Sequence, residues 1–193
     1  MKSISVFCGS SEGNDSHIVS MAYELGKNLA QQNLTLVYGG AKVGLMGQVA
    51  NGALDFDGKV IGVIPDFLKS KEIFHEGITE LIIVDNMHER KMKMHELSDG
   101  IIALPGGFGT LEELFEVVTW SQLGLHQQPM GILNVNGFFD ELLAFLDTMV
   151  SKGLLRPENR NMLLVDDSYT GLLDQMRSYQ PIHTPKWIKK EQT

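Results

Sequence analysis

Cysteine is almost absent: Cys8 is the only one in the chain. A lone thiol cannot build an internal disulfide framework, and it fits a reducing compartment such as the cytoplasm. Long apolar runs are missing too. The longest fall well short of the roughly 20 residues that cross a bilayer, so no membrane partner is expected. The opening stretch, residues 1–10, reads as a strand entering a Gly turn and not as a secretory signal. Basic charge is scarce as well: 16 Lys and Arg stand against 24 Asp and Glu, a formal net charge of −8. That balance argues against broad nucleic-acid binding, which needs a basic surface. It leaves room for a small anionic ligand, which needs only local positive potential. The short basic run from Lys186 to Lys190 reads as a solvated chain end.

Several familiar motifs are also lacking. Gly9 and Gly13 do not fit G-x-G-x-x-G, and no acidic residue closes the second apolar run, so the dinucleotide fingerprint is not met. Lys42 is not followed by Ser or Thr at P-loop spacing, which argues against a nucleoside-triphosphate hydrolase. The six histidines form no metal pattern; His88 and His95 could share a helix face, but no third ligand is evident. No Ser-His-Asp constellation can be picked out. The ten methionines, Met87, Met92 and Met94 among them, read as core filler.

What is present is a regular alternation. Val- and Ile-rich runs at 4–7, 34–38, 60–64, 81–84, 101–104, 130–134 and 162–165 read as strands. Helical spacing fills 15–32, about 44–54, 87–97, 111 to about 124, 138–150 and 169–179. Ile18, Met21, Ala22, Leu25 and Leu29 mark one face of the first helix. Strands without a polar face, each followed by a helix, predict an α/β fold: a Rossmann-like doubly wound parallel sheet with helices on both faces. Ligands of such sheets bind at the carboxyl ends of the strands. At 193 residues, with no linker or repeat, residues 1–193 are expected to form one domain. The least regular stretch, Asp66 to Thr79, reads as a loop over the site.

The most informative segment is 104–113, Leu-Pro-Gly-Gly-Phe-Gly-Thr-Leu-Glu-Glu. A Gly-rich turn from strand to helix gathers backbone N–H groups on an anion at the positive helix end. Two carboxylates follow at once, which suggests chemistry on a phosphorylated sugar or nucleotide. Glu113 has a rival reading, because Thr110-x-x-Glu113 is also a capping-box pattern. Glu112 projects about 100° away around the helix, so the two acids have different roles. Glu116, one turn on, reads as a residue of the solvated face.

Asn86 and Glu89 fit an N-cap and N3 pair, which puts Arg90 and Lys91 near the start of their helix. Cations there oppose the macrodipole by about 0.3–1 kcal/mol each. An anionic substrate would offset that cost, although a solvated lysine explains Lys91 as well. Ser10, in the turn after the first strand, could bond a sugar or base, or belong to a plain turn. Gly39 and Gly40, with Gly44 and Gly47, keep the backbone close either to a ligand or to a packed helix.

Residues 105–113 resemble the PGGxGTxxE signature of the Lonely Guy family. Met87-His-Glu-Arg-Lys91 resembles the arginine motif upstream of it, and residues 37–47 and 124–129 are also similar to family members. The resemblance runs from the first strand to about Asn136 and is weaker beyond. It implies a cytokinin riboside 5′-monophosphate phosphoribohydrolase, cleaving the N-glycosidic bond of an adenine-type nucleoside 5′-monophosphate to free base and ribose 5-phosphate. It further implies activity on AMP and a homodimer with the site near the subunit interface. Many members were once labelled lysine decarboxylases, but no PLP-lysine site is evident, and no cofactor or metal enters this reading. The resemblance places the catalytic pair on Arg90 and Glu113. It places substrate contacts on Glu72, Lys91, the loop Gly106, Gly107, Phe108, Gly109, Thr110, Leu111 and Glu112, and Thr119. The alternative of the same fold is a nucleotide or cofactor carrier without turnover.

Overall fold

Strands with no polar face must be covered on both sides, and helices do so here. The computed structural model describes residues 1–69 and 74–182. Its elements are β1 (Ser3–Phe7), α1 (Ser16–Gln31), β2 (Thr35–Tyr38), α2 (Gly44–Leu54), β3 (Val60–Pro65), α3 (Asp66–Lys69), β4 (Glu80–Val84) and α4 (Met87–Glu96). There follow β5 (Gly100–Ala103), α5 (Phe108–Gln122), β6 (Met130–Leu133), α6 (Asp140–Ser151), α7 (Pro157–Arg160), β7 (Leu163–Asp166) and α8 (Tyr169–Ser178).

Among the described residues the strands form one seven-stranded sheet in the order β4-β3-β2-β1-β5-β6-β7. Every pairing is parallel. The α/β doubly wound architecture expected from the alternation is therefore present. Residues alternate between faces. Ile4, Val6, Leu36, Ile102 and Leu104 join a core with Leu25, Leu29 and Val49 of α1 and α2 and Leu172 of α8. Phe7, Val37, Ile61, Ile101 and Ala103 join a second core with Met94 of α4, Leu114 of α5 and Leu146 of α6. This is the two-residue period of a strand buried on both sides.

The strand order reverses at β1, which pairs with β2 on one side and β5 on the other. A crevice opens at such a switch point beyond the carboxyl ends of the strands. The turns after β1 and β5 meet there: Leu104 N–H donates to Phe7 O (2.9 Å) and Gly9 N–H to Pro105 O (3.0 Å).

Three local differences from the sequence reading have physical causes. Helix α5 begins at Phe108, with Gly107 as its N-cap and no side-chain cap bond. Thr110 is therefore inside the first turn and Glu113 a turn further on, so the Thr110–Glu113 capping box does not form. Strand β3 includes Pro65 as its last residue, where a missing N–H costs little. The stretch after it begins with the short helix α3, and Phe74 bridges back to Ala41; Glu72 lies outside the described residues, as does the basic run 186–190.

Candidate active site

Helix α4 starts as its sequence dictates. Asn86 Oδ1 accepts from Glu89 N–H (2.9 Å), and the Glu89 carboxylate reaches back to Asp85 N–H (3.0 Å). This fixes Arg90 at the fourth helical position, pointing inward with only 7% of its surface exposed. A buried guanidinium is costly unless its donors are used. Nε donates to Val63 O (3.2 Å) and Nη2 to Gly39 O (3.3 Å), both at the carboxyl edge of the sheet. Nη1 lies 3.8 Å from Met87 Sδ and 3.9 Å from Glu113 Oε1. Gly39 is required by this approach: a Cβ there would stand 2.0 Å from Arg90 Nη2.

Glu113 arrives from the other side on α5. Burial pushes its carboxyl above the ordinary value of 4.5, Arg90 pulls it down, and Glu112 pushes it up again. The net shift is upward. Such an acid is held close to a cation without being fully neutralised by it, a pattern suited to catalysis. Cys8 is buried and shares the cleft lining with the pair. Burial first, and the Glu113 charge second, raise its thiol far above the usual range, so it remains protonated.

These residues line a cleft of about 300 Å³. Its walls include Ser10, Gly39, Met46, Met87 and Met94, and its mouth is formed by Gly107, Phe108, Gly109 and Thr110 with Glu112 beside them. The N-terminus of α5 thus opens on the same space as Arg90 and Glu113. A methyl group added at Gly107 or Gly109 would meet no atom within 4 Å, whereas one at Gly106 would stand 2.1 Å from Thr110 Oγ1. The loop is tight at its root and open at its tip. Phe108, between the two open glycines, is 95% exposed.

The remaining residues singled out from the sequence fall around this centre. Lys91 does not line the cleft; it is bound by Glu112 and by Glu116 (2.9 Å). Burial disfavours its ammonium, but the two carboxylates outweigh that and raise its pKa. Glu116 is thus an ion-pair partner of Lys91 and not a residue of the solvated face. Gly40 lies behind Gly39, its carbonyl accepting from His75 N–H (3.0 Å). Leu111 packs against the second core. Thr119 is on another part of α5, its hydroxyl bonded to Phe115 O (2.7 Å), in a groove with Val118, Leu146 and Met149. Met46 and Cys8 line the cleft without having stood out as binding residues, since an apolar residue in a wall leaves no sequence signal. A neighbouring cleft of about 470 Å³ shares Ser10 and Gly107 and runs to Leu45 and Phe138.

A family model described as "Possible lysine decarboxylase" matches residues 46–176, which include both Arg90 and the 105–113 segment. A cytokinin riboside 5′-monophosphate phosphoribohydrolase of Arabidopsis thaliana is 45% identical over 189 residues, covering 98% of this chain and 89% of that protein. The chain belongs to the Lonely Guy family. A second Arabidopsis thaliana member carrying the same name is 46% identical over 180 residues, covering 93% of this chain and 84% of its own length. Among solved structures, the molybdenum cofactor binding protein of Rippkaea orientalis superposes with a TM-score of 0.69 at 24% identity, over 91% of this chain and 95% of that one. That likeness shows the shared fold of the Lonely Guy chain. Among the described residues, no helix is long and apolar enough to cross a membrane.

Proposed function

We propose that the protein hydrolyses the N-glycosidic bond of adenine-type nucleoside 5′-monophosphates, AMP and cytokinin riboside 5′-monophosphates alike, to free base and ribose 5-phosphate. The observation that carries this is the meeting of Arg90, Glu113 and the open tip of the α5 N-terminus in one cleft. The relatives that carry this activity in their names support the same reading.

The chemistry follows from the placement. The amides of Gly107 to Thr110 hold the 5′-phosphate at the positive end of α5. Cleavage passes through an oxocarbenium-like sugar, as in glycoside hydrolysis. The Glu113 carboxylate stabilises that charge and orients or deprotonates the attacking water. Arg90, locked on two carbonyls, fixes the substrate and assists departure of the base. The adenine lies among the thioethers of Met46, Met87 and Met94. Ser10, Gly39 and Glu112 frame the sugar phosphate; Gly40, Lys91, Gly106 and Leu111 support this lining from behind, with Glu72 beyond the described residues. Thr119 faces away from this cleft, so its contact is proposed to reach the site of a second subunit in a homodimer. We place this single-domain enzyme in the cytoplasm.

The deciding experiment presents purified protein with AMP, N6-modified adenylates and the matching nucleosides, and reads base and ribose 5-phosphate. Release from monophosphates alone is expected. Stoichiometric nucleotide binding without any base release would overturn the proposal in favour of a carrier.

A further inference from the structure

Helix α4, which carries Arg90, packs on β3 and β4, while α5, which carries Glu113, packs on β1. No single strand therefore sets the distance between the two side chains. Their direct contact is one ion pair at 3.9 Å; beside it Lys91 bridges to the mostly buried Glu116 (2.9 Å) and to Glu112, which is mostly exposed. Exposed bridges of that kind hold geometry weakly. Beyond the apolar second core that both helices share, a directed contact must fix α4 against α5.

Residues 126–128, just after α5, do so. The Nε2 of His126 lies 2.7 Å from Val117 O, one helical turn beyond Glu113. A carbonyl only accepts, so Nε2 carries the hydrogen. The other ring nitrogen, Nδ1, accepts from Gln128 N–H (3.2 Å), which makes the ring the neutral Nε2–H tautomer. Gln128 Nε2 then donates to His95 O (3.3 Å) and Ser98 O (2.6 Å), at the carboxyl end of α4. The rings reinforce the link: His126 and His95 have centroids 4.6 Å apart, and His95 meets Trp120 of α5 edge-on at 5.6 Å. The last turn of α4 is thereby strapped to the middle of α5. A leucine could fill the same apolar space, but only a side chain with a directed N–H could bind the α5 carbonyl.

We infer that His126 is a positioning residue: by strapping α5 to the end of α4, it sets the separation of Glu113 and Arg90. The inference rests on the reading above that these two groups act together on one substrate. Losing the strap leaves the anion cradle of α5 intact, because that cradle is formed by the backbone of a single loop. Turnover should therefore suffer far more than substrate affinity, most of which the phosphate cradle supplies.

The test is steady-state base release from AMP by wild type, His126→Ala and His126→Gln, with thermal midpoints for each. The Nε2 of glutamine can reproduce the donor to Val117 O. His126→Ala is expected to lower kcat about ten-fold with KM unchanged within about two-fold, as a small misalignment of reacting groups would do. His126→Gln should recover most of kcat. A wild-type kcat in a folded His126→Ala, a loss carried by KM, or equal losses in Ala and Gln variants would each overturn the inference. If His126→Ala does not fold, Gln128→Ala cuts the strap at its α4 end and should show the same kcat loss; an unchanged kcat there overturns it. Nitrogen NMR of the wild-type imidazole reads the strap without turnover: a ring protonated on Nδ1 overturns it. An inactive wild type with the Nε2–H tautomer in place would instead sink the proposed function alone.

Discussion

Two Gly-rich turns leave the carboxyl edge of this sheet, and they resemble each other only in composition. In the turn from β2 to α2, the glycines answer to the protein itself. A Cβ at Gly47 would stand 2.0 Å from Lys42 O, and one at Gly44 2.3 Å from the Ser10 carbonyl. In the turn from β5 to α5, Gly107 and Gly109 answer to nothing within 4 Å. The first turn is closed by packing; the second keeps its tip bare beside a buried cation and a buried acid. Glycine richness alone does not separate a ligand cradle from a tight corner. The space around each absent side chain does.

The comparison can be broken most severely at the chemical centre of the open turn. Glu113→Gln and Arg90→Ala are each expected to reduce AMP hydrolysis on the order of 10²-fold or more, measured as kcat/KM. Near-normal hydrolysis in both would show that the open turn is not a catalytic one. At the closed turn, Gly47→Ala is expected to cost about 1–3 kcal/mol of stability through overpacking, read by denaturant titration, with normal kcat in the folded protein. At the open turn, Gly109→Ala should leave stability within about 1 kcal/mol, on the favourable side because alanine is the better helix former. Its KM for AMP should rise roughly ten-fold, because the added methyl enters the open space at the tip and holds the phosphate off about one charge-assisted hydrogen bond. If Gly109→Ala were the more destabilising of the two, the contrast between the turns would be lost.

The smallest expected effect is in pH dependence. The folded pKa of Glu113 lies above its ordinary value of 4.5, chiefly through burial. Its ionised form is therefore penalised in the folded state, and its contribution to stability rises as pH falls through the folded pKa. The stability difference between wild type and Glu113→Gln should shift toward wild type as pH is lowered across that range. Activity should move the opposite way, because the ionised acid is the active form, so the acid limb of kcat/KM should fall above pH 4.5. A limb at or below that value would contradict the burial of this side chain.

The sheet was legible because its strands carry Val and Ile on both faces, a pattern with few other solutions. Arg90 was legible because a cation near a helix N-terminus is electrostatically misplaced, and the structure shows that it is also buried. The start of α5 was misread for a physical reason. Thr110-x-x-Glu113 has the residues of a capping box, but a glycine N-cap three residues earlier begins the helix without one. Glu116 was read as solvated because its partner Lys91 comes from another helix, and a pairing across elements leaves no trace in local spacing. The strap through His126 was hidden likewise, since the side-chain bonds of Gln128 that complete it depend on where the end of α4 finally lies.

The pairing of β1 with β5 joins the chain's first strand to one synthesised long after it. Long-range parallel pairings form late, because loop closure must be met before contacts reward it. An N-terminal fragment ending before β5 would hold Arg90 and the turn after β1 but have no cradle for a phosphate. On the proposed function, then, the protein would acquire affinity for nucleotide during translation only when the second half of its crevice has emerged from the ribosome. A stalled nascent chain ending at Asp99 should retain no adenylate.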